Sequence, residues 1–292
     1  MSLIVDQIIG YSYSCQNVNK TKKDFINILP DHIFSEIFSH LNIATLGVIC
    51  CVSKKWKQLV SEPIVWKMAI YREIAFGNDK WAKYFGEDVV KDEDNREELF
   101  SLPADDFITD CKKFKAIFPE TNVKDTLMLV RLPKTLNGGL TLKSLGLLAR
   151  TKRFVRVTDT GYRFFYGAQR DDYKYRSIDK SQWVLMTKNI IPESVNKSYV
   201  EQQKVVADLA QKSLINYEVP GTLEAVTCIY SELFKSNTRL FHCNTKIYMR
   251  CNDIDETYRE QEVIGGFGID GIRITKASND HPRLGVAAMR KF

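Results

Sequence analysis

Long apolar runs are what this chain lacks first. No stretch approaches the roughly 18 uninterrupted apolar residues of a membrane-spanning helix, which excludes helical integral membrane proteins. The opening MSLIVDQIIGYSYSC has no basic n-region and carries Asp6 inside its apolar run, so no secretory signal peptide is expected there. Seven cysteines, an odd number without framework spacing, argue against an extracellular disulfide scaffold and for a reducing, cytoplasmic compartment. No run of five or six Lys/Arg marks a nucleic-acid footprint. No repeat of 20–50 residues is visible, which removes the common repeat-array binding platforms. Histidine is scarce: there are four, and two of them, His32 and His40, fall around one expected helix.

What is present is a helical pattern between Leu29 and Trp66. Leu29-Pro30 opens it, because proline fits a first helical turn where its missing N–H would be unpaired anyway. Asp31 follows where the helix dipole favours negative charge. Ile33, Phe34, Ile37, Phe38 and Leu41 form the stripe of a helix with one buried face. Asn42 is a good cap for a second helix carrying Ile43, Leu46, Val48, Ile49, Cys50 and Val52, apolar nearly all round. A small module cannot bury such a helix on every side. Ser53 caps a third helix with Trp56, Leu59 and Val60 opposite Lys54, Lys55 and Lys57, and Pro63 restarts the chain before Trp66.

Leu29-Pro30, the Ile33-Phe34 pair, Leu41, Leu46, Val52, Trp56, Leu59 and Trp66 after Pro63 make this stretch resemble an F-box. That is the module that docks substrate receptors onto the Skp-type adaptor of SCF (Skp, cullin, F-box) ubiquitin ligases. The resemblance implies a partner surface drawn from Leu29, Pro30, Ile33, Phe34, Ile37, Phe38, Leu41, Leu46, Ile49, Val52, Trp56, Leu59 and Trp66. Two other readings of the same residues stay open: a generic three-helix bundle, and a helix-turn-helix with its lysines on phosphates.

The rest of the chain has a different character. Residues 1–100 hold 12 Lys+Arg against 14 Asp+Glu, while the remainder holds 30 against 22, so the net positive charge belongs to the later part and suits an acidic partner surface. Trp81, Tyr84 and Phe85 read as core packing. The charged run from Glu87 to Glu98 reads as a solvated helix face or linker, which places a domain transition near Leu102-Pro103. Strands are expected at 126–132, 154–157, 162–166 and 183–187. Helices follow at 198–213 and from Gly221-Thr222, then β segments at 240–241, 247–249, 263–264, 272–274 and 286–288. The expected organisation is an arm at 1–25, an all-α F-box bundle with following helices at 26–100, and an α+β domain at 101–292 with helices packed on a mainly antiparallel sheet.

Stretches 179–188, 217–220 and 285–292 of this later region are similar to the C-terminal domain of F-box proteins from amoeba-infecting, chlamydia-like bacteria. That resemblance implies an effector acting on host ubiquitination.

Candidate chemistry is thin. Gly266-Phe267-Gly268-Ile269-Asp270-Gly271 spells G-x-G-x-x-G, but the next residues, Ile272-Arg273-Ile274-Thr275, alternate like a strand, so a hairpin turn is expected rather than a dinucleotide site. His242-Cys243 with Cys251 matches no zinc spacing. A Cys-dependent hydrolase would pair Cys228, Cys243 or Cys251 with His242 or His281, the enzyme alternative to a receptor. The expectation is a non-enzymatic receptor with no cofactor, no metal, no nucleic acid and no membrane, its partners being the Skp-type adaptor, through it a cullin ligase, and an unidentified target.

Overall fold

The computed structural model describes residues 30–91, 93–121, 123–156, 159–165, 176–255, 260–276 and 283–292. Along these residues run helices α1 Asp31–Ser39, α2 Ile43–Ile49, α3 Lys54–Val60, α4 Pro63–Glu73, α5 Asn78–Phe85, α6 Asn95–Ser101, α7 Ala104–Ile117, α8 Val123–Thr126, α9 Leu142–Thr151, α10 Tyr199–Ser213 and α11 Thr222–Ser236. The strands are β1 Leu127–Leu132, β2 Phe164–Phe165, β3 Gln182–Thr187, β4 Tyr248–Asp255, β5 Glu260–Gly268, β6 Gly271–Lys276, β7 Leu284–Gly285 and β8 Met289–Lys291. An N-terminal helical region is thus followed by helices with predominantly antiparallel sheets, as the sequence implied.

The chain divides into two compact units. One comprises Ala75 and the described residues before it, together with Leu102–Thr126; the other comprises Phe76–Ser101 and Leu127–Phe292. The chain therefore passes between units at three points, where the sequence suggested a single join near residue 100. Backbone pairing explains the first passage: the Phe76 N–H donates to Leu129 O at 2.8 Å, and the Arg131 N–H donates to Phe76 O at 2.9 Å. These bonds bind the start of 76–101 to β1. Segment 102–126 belongs with the helical unit because α7 packs on α4 and buries Phe107, Ile108, Cys111 and Phe114.

In the sheet unit, β1, β3 and β8 form an antiparallel three-stranded sheet with Leu129 opposite Leu185 and Leu185 opposite Arg290. A second sheet has the order β2-β6-β5-β4-β7, antiparallel at its centre but parallel at both edge pairs. Helix α11 touches β1 of the first sheet and β4 and β5 of the second, so every residue from Ala225 to Phe234 is buried. One helix enclosed by two sheets is the main refinement of the expected arrangement, in which helices cover a single sheet. Helix α10 starts at Ser198 by reciprocal capping: the Ser198 N–H donates to Glu201 Oε2 at 2.9 Å and the Glu201 N–H to Ser198 Oγ at 3.4 Å.

Several expected strands are replaced by turns. Phe154–Arg156 is not a strand, because the Phe154 N–H donates to Ala149 O and ends α9, with Arg153 at φ 59°; Val157 lies outside the described residues. The 162–166 strand shrinks to Phe164–Phe165, and Tyr166 is likewise outside the description. At 240–241 a turn is found, with Phe241 at φ 53°. Residues 286–288 leave the ladder because side-chain oxygens take their N–H groups: Val286 donates to Ser194 Oγ at 3.0 Å and Ala288 to Thr187 Oγ1 at 3.1 Å. The glycine motif is a hairpin: Gly268 pairs with Gly271 across the turn Ile269-Asp270. Gly271 sits at φ 103°, and a Cβ there would stand 2.6 Å from Gly161 O.

Cys50, Cys111, Cys228, Cys243 and Cys251 are free thiols. Among the described residues no helix is long and apolar enough to cross a membrane.

Candidate functional site

The helical unit is set by its caps and by a few long-range bonds. Pro30 occupies the position before α1 with φ −57° and ψ 146°, and Asp31 is the acidic residue of the first turn. The Thr45 N–H donates to Asn42 Oδ1 at 2.6 Å and the Trp56 N–H to Ser53 Oγ at 3.1 Å, so both expected caps start their helices. Pro63 stands in the first turn of α4. The α1–α2 connection is then clamped to α4, because Arg72 Nη2 donates to Leu41 O at 2.8 Å and the Ile43 N–H donates to Glu73 Oε1 at 2.6 Å. The Ser35 hydroxyl donates to Glu62 Oε2 at 2.6 Å, tying α1 to the turn before α4. The Lys55–Asp31 pair at 3.0 Å is open to solvent and contributes little.

These constraints sort the residues that the sequence grouped as one surface. Phe34, Phe38, Leu46, Ile49, Leu59 and Trp66 are buried, with Leu46 wholly so. Phe34 and Phe38 pack with half-buried Trp56, the three ring pairs being 5.7–6.3 Å apart. In this conformation the buried six hold the module's shape. Helix rotation explains the sorting: Ile33 and Ile37 lie one residue, about 100°, away from Phe34 and Phe38, so the two pairs cannot share a face completely.

Outside that core the molecule shows apolar side chains to water. Ile37 is 45% exposed and Val52 53%, joined by Val48 at 45% and Ile64 at 48%, while Pro30 is exposed and Ile33 and Leu41 are half-buried. Leu29 lies outside the described residues. Val48 and Ile64 were missing from the predicted set. For Val48 the signal was available in an α2 that is apolar all round; for Ile64, the adjacent Val65 and Trp66 turn inward and leave it outside.

Among the described residues the candidate chemical groups do not assemble. Cys243 Sγ lies 3.9 Å from His242 Nδ1 only because the two are neighbours in a turn, and His242 Nδ1 accepts from the Asn244 N–H at 3.2 Å. Cys228 and Cys251 are fully buried, and burial pushes both thiols well above their ordinary range, disfavouring the thiolate a nucleophile needs. His281 lies outside the described residues. Among the described residues no group of three or more His, Cys, Asp and Glu is placed to hold a metal ion. A cavity of about 210 Å³ at the start of α11 is lined by Arg176, Glu224, Asp253 and Lys291. Its charges already pair: Arg176 with Asp253 at 3.6 Å and Lys291 with Glu224 at 2.7 Å.

The helical unit thus combines a locked core with exposed apolar residues on short helices, the properties of a docking module. Residues 26–68 match the family model of the F-box domain. No curated protein and no solved structure matches the chain.

Proposed function

We propose that this chain is a substrate receptor of an SCF-type ubiquitin ligase, in which the helical unit holds a Skp-type adaptor and the sheet unit holds a target protein. The observation that carries the reading is the F-box match over residues 26–68. The exposed Ile37, Val48, Val52 and Ile64 supply an apolar surface of the kind an adaptor contact would cover. The chain acts by proximity: tethering a target near a charged conjugating enzyme raises their effective concentration without a catalytic residue of its own. In this reading it is not an enzyme and uses no cofactor.

The test is co-purification of the full chain with a recombinant Skp-type adaptor. Ile37→Asp with Val52→Asp is expected to abolish the complex while the thermal unfolding midpoint stays within a few degrees of wild type, since both side chains already face water. Adaptor binding at wild-type affinity by that variant would refute the assigned surface. A finer reading, an effector that acts on host ubiquitination, rests on the resemblance of 179–188, 217–220 and 285–292 to domains of chlamydia-like bacteria. Recovery of the chain bound to adaptor from the cytosol of an infected host cell would test it.

A further inference from the structure

We infer that the target-receiving surface is the end of the sheet unit around the β5–β6 turn, and that it takes an acidic protein segment carrying an apolar side chain among its carboxylates. This rests on the receptor reading above and names the chemistry of its second partner.

Residues 150–163 contain Arg150, Lys152, Arg153, Arg156 and Arg163 against the single acid Asp159. The fold carries this basic stretch to the hairpin end: the Arg156 N–H donates to Ile269 O at 2.7 Å and the Arg163 N–H to Ile272 O at 3.1 Å. Arg163 extends over the turn, with its Nη1 3.7 Å from where a Cβ on Gly268 would stand. Pairing of β2 with β6 sets Phe164 beside Arg273, whose guanidinium carbon is 5.2 Å from the ring centroid. Lys152, Arg153, Arg156, Arg163 and Arg273 are all exposed.

This end gathers several cations that have no compensating charge. Among the described residues no carboxylate pairs with Arg153, Arg156, Arg163 or Arg273. Two other cations of the unit are neutralised locally: Lys188 by Glu232 at 2.9 Å, and Lys291 by Glu218 at 2.8 Å and Glu224 at 2.7 Å. A cluster of like charges repels itself until an anion arrives, and guanidinium forks match carboxylates in two-point contacts. Two exposed apolar side chains belong to the same segments: Phe164 at 44% exposure, beneath the Arg273 guanidinium, and Ile269 at 48%, whose carbonyl accepts from the Arg156 N–H. An aromatic anchor beside arginine is the composition of an interface hot spot. A nucleic acid would use the arginines but not Ile269, and Asp159 and Asp270 interrupt any continuous basic track for its phosphates.

The experiment measures fluorescence anisotropy of a labelled peptide rich in Glu with two Leu residues, against its Lys-for-Glu counterpart and a single-stranded oligothymidine of matched charge. The protein is the full chain and two variants, Arg156→Glu/Arg163→Glu/Arg273→Glu and the same sites changed to Gln. The acidic peptide is expected to bind the wild type, with affinity falling as salt rises, and to lose about tenfold or more in the Glu variant with an intermediate loss in the Gln variant. Circular dichroism confirms that each variant is folded. Equal peptide binding by the wild type and the Gln variant overturns the inference, as does tighter binding of oligothymidine than of the acidic peptide. Both variants are expected to keep the adaptor. Failure of the wild type to bind adaptor would sink the receptor reading without touching the peptide result.

Discussion

The helical unit and the sheet unit handle apolar surface in opposite ways. In the first, helices of four to fourteen residues enclose Phe34, Phe38, Leu46, Val60 and Trp66 yet leave Ile37, Val48, Val52 and Ile64 in water. In the second, α11 is enclosed by two sheets, and exposed Phe164 and Ile269 stand beside uncompensated arginines. A few short helices have too little volume to cover an all-round apolar α2, so some of its surface must stay outside. The contrast teaches that apolar exposure in the first unit is built into its size, whereas the recognition proposed for the second depends on charge.

The largest expected effect comes from cutting the chain where the sequence alone suggested a boundary. A fragment of residues 101–292 lacks Phe76, Trp81, Phe85, Val89 and Val90, all part of the sheet unit's core. Losing several large side chains, each worth roughly 3–5 kcal/mol when truncated, exceeds the 5–15 kcal/mol by which a domain is stable. The fragment should show no cooperative urea transition; a sharp transition like that of the whole chain would show that the units are divided differently.

Single substitutions sharpen the same contrast. Trp81→Ala removes a wholly buried ring that packs on Phe76 and Phe85 and donates Nε1–H to Arg131 O at 3.2 Å, so about 3–5 kcal/mol should be lost in urea melts. In the helical unit Phe38→Ala should cost a similar amount, while Ile37→Ala one residue earlier should cost less than about 1 kcal/mol. Comparable losses at 37 and 38 would mean that the division into core and surface is wrong.

Alkaline pH provides a weaker but graded probe. Burial raises the Cys228 and Cys251 thiols and the Tyr162 and Tyr230 hydroxyls of the sheet unit above their ordinary ranges. The folded unit therefore holds these protons after the unfolded chain has released them. Their stabilising contribution is complete below about pH 8.5 and declines above it, by up to about 1.4 kcal/mol per pH unit for each group, with the tyrosines joining near pH 10. Burial also raises Cys50 and Cys111 in the helical unit. Urea melts from pH 7 to 11 should show a loss that steepens above pH 10, and Tyr162→Phe should lessen that steepening. A small effect is expected at the caps: Ser53→Ala and Ser198→Ala should each cost about 1 kcal/mol in thermal melts, one in each unit.

How much the sequence revealed depends on the range of the interactions involved. Asn42, Ser53 and Ser198 act within three residues of themselves, and Gly268–Gly271 closes on itself, so each feature could be read from neighbours alone. The apolar residues of the F-box stretch were legible as a group, because apolar spacing marks a helix face. Their separation into core and surface was not, since Ile37 and Phe38 differ only in which neighbours reach them. The parallel edges β2–β6 and β4–β7 and the pairing of Phe76 with β1 join residues far apart in sequence, where no local pattern carries information.

The three passages between units also bear on the order in which the chain is made. As the N-terminal end leaves the ribosome first, α1 to α4 emerge without α7, and the helical unit reaches its full set only once residue 126 is out. By then Phe76–Ser101 has already emerged, but α11 and the later strands that complete its core have not been synthesised. Phe76, Trp81 and Phe85 are therefore exposed through the synthesis of more than half the protein, which makes this early segment the place where a nascent chain is most in need of a chaperone.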